Sequence, residues 1–266
     1  MHYAISAIRY RFKIRMFVVM LPLIQQTLKQ TFSSLIWKLE IDEQHQHIAI
    51  ETRDTGIHTA QFSLLNYSTG KVLFKDLALE NNWWLGLDKA HHGLVFLHGY
   101  ISQDSPQHRG IICLNAQGQI QWQQFNIALY DVYDKGLLVY DTAIQPRKLY
   151  TISADAGQRN QDTAPAATPT GLVFPQIHQG ELPGYIPGTV SGPVLTAMYN
   201  EKSIWAYHTR QNGRLSQELI IYGDGKILLH DKLGSDIQKP NPEAFFLQKN
   251  HLFCIRNKNE IVSYLV

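Results

Sequence analysis

Residues 83–126 read WWLGLDKAHHGLVFLHGYISQDSPQHRGIICLNAQGQIQWQQFN, and this stretch decides the fold. Four short apolar runs (83–87, 93–100, 110–115 and 119–126) are separated by turn residues, the composition of one four-stranded propeller blade. The final turn follows a rule that recurs along the chain: a tight turn ends in Gly, and a large apolar residue stands four positions later. Ala116-Gln117-Gly118 leads to Trp122, Ser68-Thr69-Gly70 to Phe74, and Gly223-Asp224-Gly225 to Leu229. Such repetition marks an all-β architecture in which each unit buries its sheet by stacking on the next, a β-propeller above all.

Working outward, a second unit runs from Leu129 through 136–141 and 148–155 to Gly157, and a third from Val194 through 203–209 and 218–222 to 226–233. The last unit has strands at 243–248, 251–256 and 260–266 and lacks a fourth. Near the start, 35–42 (LIWKLEID) reads as a fourth strand with no unit before it, its Trp37 standing where Phe74 and Trp122 stand. The expectation is therefore a ring closed by the N-terminal strand 35–42, which removes two exposed sheet edges. Counting the closing blade with units at 43–80, 81–126, 127–177 and 185–234 gives five four-stranded blades.

Composition suits one body: 266 residues, 44% hydrophobic and 17% charged fit a single large all-β domain, placed at 31–266, with 1–30 an N-terminal extension. Cys113 and Cys254 fall in different units and read as buried thiols. Arg9, Arg11, Lys13 and Arg15 precede an apolar run from Met16 to Ile24, the layout of a secretory signal; Pro22 within the run and the lack of a small-x-small cleavage site argue against one. The run is also shorter than the roughly 20 residues of a membrane span. Translation from Met16 or Met20 would remove most of it. The expected location is the cytoplasm, the alternative export or membrane association through this segment. The net charge of +2 includes those four basic residues, and 2 minus 4 leaves the rest at −2. Nothing in that charge supports a nucleic-acid surface, which needs clustered Lys and Arg.

Between Ala164 and Pro193 lie six of the eleven prolines, interspersed with glycines. A long loop crossing one face is expected there, with one strand at 171–177. The densest histidines, His91, His92, His98 and His108, are expected at different heights and on different faces of one hairpin turning near Asp104 and Ser105. His98 should share a face with Leu94, Phe96 and Tyr100 and be satisfied by backbone, with no carboxylate completing a metal set. No metal and no cofactor are therefore expected. Asp88, Asp131, Asp134 and Asp141 are candidate channel carboxylates, read first as turn and strand-end residues. Alternation puts Trp83 and Trp84 on opposite faces of a strand. G-x-S-x-G is only imitated at 188–192, and HExxH, GxxxxGK[ST] and GxGxxG are absent from the sequence.

The turns at 66–74 and 115–122 resemble the blade repeat of quinoprotein-type (PQQ-like) propellers. Residues 36–42, 83–87, 97–100 and 108–111 together resemble an uncharacterised bacterial domain family of unknown function. That resemblance implies a single domain over most of 31–266 and carries no activity. The resulting expectation is a non-catalytic binding or scaffolding propeller for an unknown protein or small-molecule ligand, met by Trp83, Trp84, His98, Tyr100, His108 and Arg109 near the proline-rich loop. The alternative is a hydrolase or lyase with a channel site of His98, Asp88 and Asp131.

Overall fold

The computed structural model describes residues 24–102, 107–134, 136–160, 171–241 and 243–266. The basic segment at 9–15, most of the apolar run that follows it, the turn at Asp104 and Ser105, and Pro165 and Pro169 lie outside them. Strand β1 is Gln25–Thr31. The first sheet is β2 (Leu35–Asp42), β3 (His47–Asp54), β4 (Thr59–Asn66) and β5 (Val72–Leu77). A single 3-10 turn at Asn82–Trp84 leads into the second: β6 (Leu85–His91), β7 (Leu94–Tyr100), β8 (His108–Leu114) and β9 (Ile120–Gln124). The third holds β10 (Ile127–Tyr133), β11 (Gly136–Asp141) and β12 (Leu149–Ile152). Two-residue strands β13 (Leu172–Val173) and β14 (Gln176–Ile177) precede the fourth, made by β15 (Leu195–Tyr199), β16 (Lys202–Gln211), β17 (Arg214–Gly223) and β18 (Lys226–Ile237). The fifth holds β19 (Phe245–Gln248), β20 (His251–Arg256) and β21 (Glu260–Leu265). The chain is all-β, and neighbouring strands pair antiparallel throughout.

The recurrent turn has a physical cause on both sides. Asn66 Oδ1 accepts from the Thr69 backbone N–H and hydroxyl, and Asn115 Oδ1 from the N–H groups of Gln117 and Gln119, so each side chain fixes its own turn. At Gly118 and Gly157 the glycine that ends the turn then meets the large residue of the preceding sheet. A Cβ on Gly118 would stand 3.1 Å from the Phe74 ring, and one on Gly157 2.9 Å from the Trp122 ring. Both glycines have φ near +70° (76° and 66°), which side chains disfavour. Trp122 Nε1 also donates to the Ala154 carbonyl at 2.9 Å.

Sheets bury both faces. On β3, Ile48 and Ile50 join Leu28, Phe253 and Ile261 toward the fifth sheet, while Ala49 joins Leu87, Val95 and Leu97 toward the second. On β7, Phe96 packs with Ile111, Ile127 and Val139 toward the third. Leu219 and Ile221 of the fourth meet Leu252 and Val262 of the fifth. Strands enclosed this way read as continuous apolar runs, which is why GLVFL and GIICL are legible in the sequence.

Several expectations are corrected. Residues 35–42 do not complete the last unit: β2 opens the first sheet, pairing β3. The strand beside β21 is β1, registered from Gln25 against Leu265 to Thr31 against Glu260, so β1 straddles the expected boundary at residue 31. Its seven residues, QQTLKQT, carry one apolar side chain, Leu28, because the outer edge needs only one inward anchor; Phe32 just beyond supplies another. Trp37 is not equivalent to Phe74 or Trp122. The β2–β3 register shifts between Ile36 and Lys38, and Trp37 is extruded there, 63% exposed. Trp83 and Trp84 belong to the 3-10 turn, so strand alternation does not govern them. In place of one strand at 171–177 there are two, in different sheets: β13 extends the fifth sheet beyond β19, and β14 the fourth beyond β15. Among the described residues the third sheet has three strands.

Candidate functional site

The bulge at Trp37 recurs at the matching place in the next two sheets. Between β6 and β7 the register shifts around Asp88, and between β10 and β11 around Tyr130. An extra residue on a first strand is turned out of the ladder, which is how bulges aim side chains. At the second of these bulges Lys38 Nζ caps the loosened backbone, donating to the carbonyls of Leu87 and Asp88 at 3.0 and 3.1 Å.

Opposite His98 a further irregularity lies on β8: Leu97 pairs with Ile112 and Gly99 with Arg109, so Gly110 and Ile111 together face the single residue His98. β7 stays in regular register with β6 from Leu97 to Gly99, so His98 keeps its place in the strand's alternation. It goes with Tyr100, ring centroids 4.8 Å apart, and stacks on His108 at 3.4 Å with planes 6° from parallel. His98 Nδ1 faces Asp88 Oδ2 at 3.5 Å. A Cβ on Gly86 would stand 2.6 Å from His98 Nε2, so Gly86 closes the other edge of the ring. His98 is 2% exposed, and neither its ring nitrogens nor Asp88 Oδ2 has a hydrogen-bond partner. The expectation of a backbone-satisfied His98 thus fails, as does that of histidines kept apart with no carboxylate nearby. One ligand atom each from Asp88, His98 and His108 lies within 4.8 Å of the others. Burial, reinforced by the neighbouring His98, lowers the His108 pKa against the opposing pull of Asp88. His91 and His92 stay elsewhere, donating from Nε2 to the carbonyls of Tyr133 and Asp134. Asp131 lies outside the group, its Oδ1 accepting from Val132 N at 2.8 Å, and Asp141 caps Ala143 N as a turn aspartate.

Beside this group sits an ion pair that sequence reading missed. Glu51 and Arg53 on β3 are 1% and 8% exposed and meet at 2.5 Å. Glu51 Oε2 accepts from Leu87 N at 2.7 Å, and Arg53 donates to the carbonyls of Trp83 and Leu85 at 3.1 and 2.6 Å. The guanidinium lies 5.8, 5.1 and 5.5 Å from the rings of Trp37, Trp83 and Tyr100. Their available signal was two charges at i and i+2 directly after the apolar run Ile48-Ala49-Ile50 in the strand HIAIETRD.

Of the expected ligand residues, His98, Tyr100 and His108 come together, and Trp83 joins them through Arg53. Trp84 is exposed on the same 3-10 turn. Arg109 turns toward the third sheet, donating to the Phe125 carbonyl and Asn126 Oδ1. There it lines a cleft of about 190 Å³ with His108, Asn126, Tyr140, Gln145 and Arg147. Arg147 packs over the Tyr140 ring at 4.5 Å. A larger opening of about 390 Å³ at the β16–β17 turn is lined by Arg210 and by Arg214 and Asp236, the last two paired at 3.1 Å.

Comparison with known proteins adds limits. A profile described as a domain of unknown function (DUF4905) matches residues 41–122, less than half of the chain. No curated protein matches. Among solved structures, the β-propeller domain of the Trilobed protease from Pyrococcus furiosus is 12% identical, with 86% of this chain and 65% of that one covered and a TM-score of 0.33. An endo-arabinase from Bacteroides thetaiotaomicron is 10% identical, with 91% and 96% covered and a TM-score of 0.28. A bifunctional GH43-CE protein of Bacteroides eggerthii is 9% identical, with 90% and 34% covered and a TM-score of 0.27. The chain spans just under two thirds of the Pyrococcus domain's length. No helix among the described residues is long and apolar enough to cross a membrane.

Proposed function

We propose that the chain is a non-catalytic binding module, a five-bladed β-propeller whose fifth blade is completed by β1, and that it takes a small anion in the cleft between β8 and the third sheet. A propeller-like succession is supported by sheets packed face to face, fourth on fifth, fifth on first, first on second and second on third; a ring would bring the third against the fourth. The ligand class rests on one observation. Arg109 and Arg147 line the cleft with the His108 imidazole and the amides of Asn126 and Gln145, and no carboxylate stands among its described lining residues. Guanidinium groups are the preferred partners of carboxylate and phosphate. The volume, below that of a drug-sized pocket, suits a small ligand.

Thermal melts of the full chain with acetate, citrate or inorganic phosphate, against chloride at matched ionic strength, test this reading. Saturation at about 100 times Kd adds about 2.7 kcal/mol, and Arg147→Ala removes the shift. No anion raising the Tm above the chloride control refutes it. A second reading, a hydrolase or lyase, is favoured by the Asp88–His98–His108 group alone and loses its third expected member, Asp131.

A further inference from the structure

We infer that Asp88, His98 and His108 form a binding site for one divalent first-row transition ion, of which zinc is the representative. Two imidazoles and a carboxylate are a donor set that suits such ions, and three protein ligands leave a fourth position open. Each residue offers an atom within 4.8 Å of the other two.

A second, independent observation comes from unpaired atoms. His98 is almost wholly buried, yet both ring nitrogens lack a hydrogen-bond partner, and so does the Asp88 oxygen facing Nδ1 at 3.5 Å. Buried polar side-chain atoms are nearly always partnered, and a cation between Nδ1 and Oδ2 would satisfy both at once. Gly86 closes the Nε2 edge, where a Cβ would stand 2.6 Å away, which holds Nδ1 toward the carboxylate.

Metal–nitrogen bonds of about 2.0–2.1 Å require the parallel rings to open slightly. His108, half-buried at the start of β8, is the ring with room to turn. His108 also lines the arginine cleft, so the group borders that space. The site stands without the anion reading, since none of its three ligands is an arginine and zinc binding needs no anion.

The experiment titrates chelator-stripped full-length protein with zinc against a chromophoric competitor, in buffer free of phosphate and carboxylate. One equivalent is expected to bind. Asp88→Asn and His108→Gln should each weaken it by about 100-fold or more, beyond the 10–100-fold that outer-shell residues give, while His92→Gln leaves it unchanged. Cobalt substitution should give a visible absorption band that His108→Gln abolishes. His98→Gln disturbs a buried position, so the half-buried His108→Gln, checked for an unchanged fold by circular dichroism, carries the result. No stoichiometric binding by the wild type overturns the inference, as does binding that survives both Asp88→Asn and His108→Gln.

Discussion

Replacing Glu51 with Ala tests how the site is held. The carboxylate is 1% exposed, pairs with a guanidinium that is itself 8% exposed, and accepts from Leu87 N–H. Its removal strands a buried cation and orphans a backbone donor on β6. Breaking one side of a buried pair costs about 3–5 kcal/mol, and an unpaired buried donor about 1–3 kcal/mol. The two overlap, because Arg53 keeps its bonds to the Trp83 and Leu85 carbonyls, and a net loss of about 4 kcal/mol is expected. At about 2–4 °C per kcal/mol for a chain of this size, the Tm falls by about 8–16 °C. Urea unfolding followed by tryptophan fluorescence measures it, Trp83 lying 5.1 Å from the guanidinium. The double substitution Glu51→Leu with Arg53→Met removes both charges and should recover to within about 2 kcal/mol of wild type. A Glu51→Ala midpoint corresponding to less than about 1 kcal/mol of loss, or a double variant no better than the single, refutes the reasoning.

A chain starting at Met20 should melt with the full chain, whereas one starting at Ser33 loses β1 with Leu28 and Phe32, about 3–6 kcal/mol of apolar burial; equal melting temperatures would remove β1 from the fold's support. Burial pushes His208 below its ordinary pKa of 6.5, and its Nε2 accepts from Asn241 N. The unfolded chain therefore takes up the proton first, and the stability linked to this residue is full above about pH 6.5 and lost as pH falls below it. His208→Gln should flatten the acid limb of a stability–pH curve by up to about 1.4 kcal/mol per pH unit, and an unchanged limb counts against the assignment. Burial raises the Cys113 thiol to about 12 and raises Cys254 as well. Neither should react with a thiol reagent at pH 8 until denaturant is added, and rapid labelling of the native protein contradicts this.

What the sequence disclosed and what it withheld divide along physical lines. Strands enclosed on both faces announce themselves, as GLVFL and GIICL do, and turns announce themselves through Asn and Gly. The fifth sheet's outermost strand did not, because QQTLKQT at an edge needs one inward residue, while LIWKLEID alternates more visibly and was the better candidate on pattern alone. The site was hidden for a different reason. Trp37 and Asp88 owe their positions to bulges on their own strands, and His108 lies beyond the β8 bulge that faces His98; period-two reasoning carried past a bulge assigns every later residue to the wrong face. His98 was singled out by residue type, yet its stacking on His108 and its approach to Asp88 depend on bulges in the two strands beside it. Trp83 and Trp84 failed likewise, since a 3-10 turn took the place of the expected strand.

The pairing of β1 with β21 also orders events in time. Thr31 and Glu260 are 229 residues apart. At a synthesis rate of about 5–20 residues per second, the partner of β1 emerges about 10–45 s after β1 itself. For that interval Leu28 and Phe32 have no sheet to enter, and the first sheet has no fifth sheet to lie against Ile48 and Ile50. The earliest strand to leave the ribosome among those described is thus among the last to find its place. Folding yield in a cell then depends on how well that waiting segment is shielded, and the slow step of refolding should be the meeting of the two chain ends rather than the formation of any one sheet.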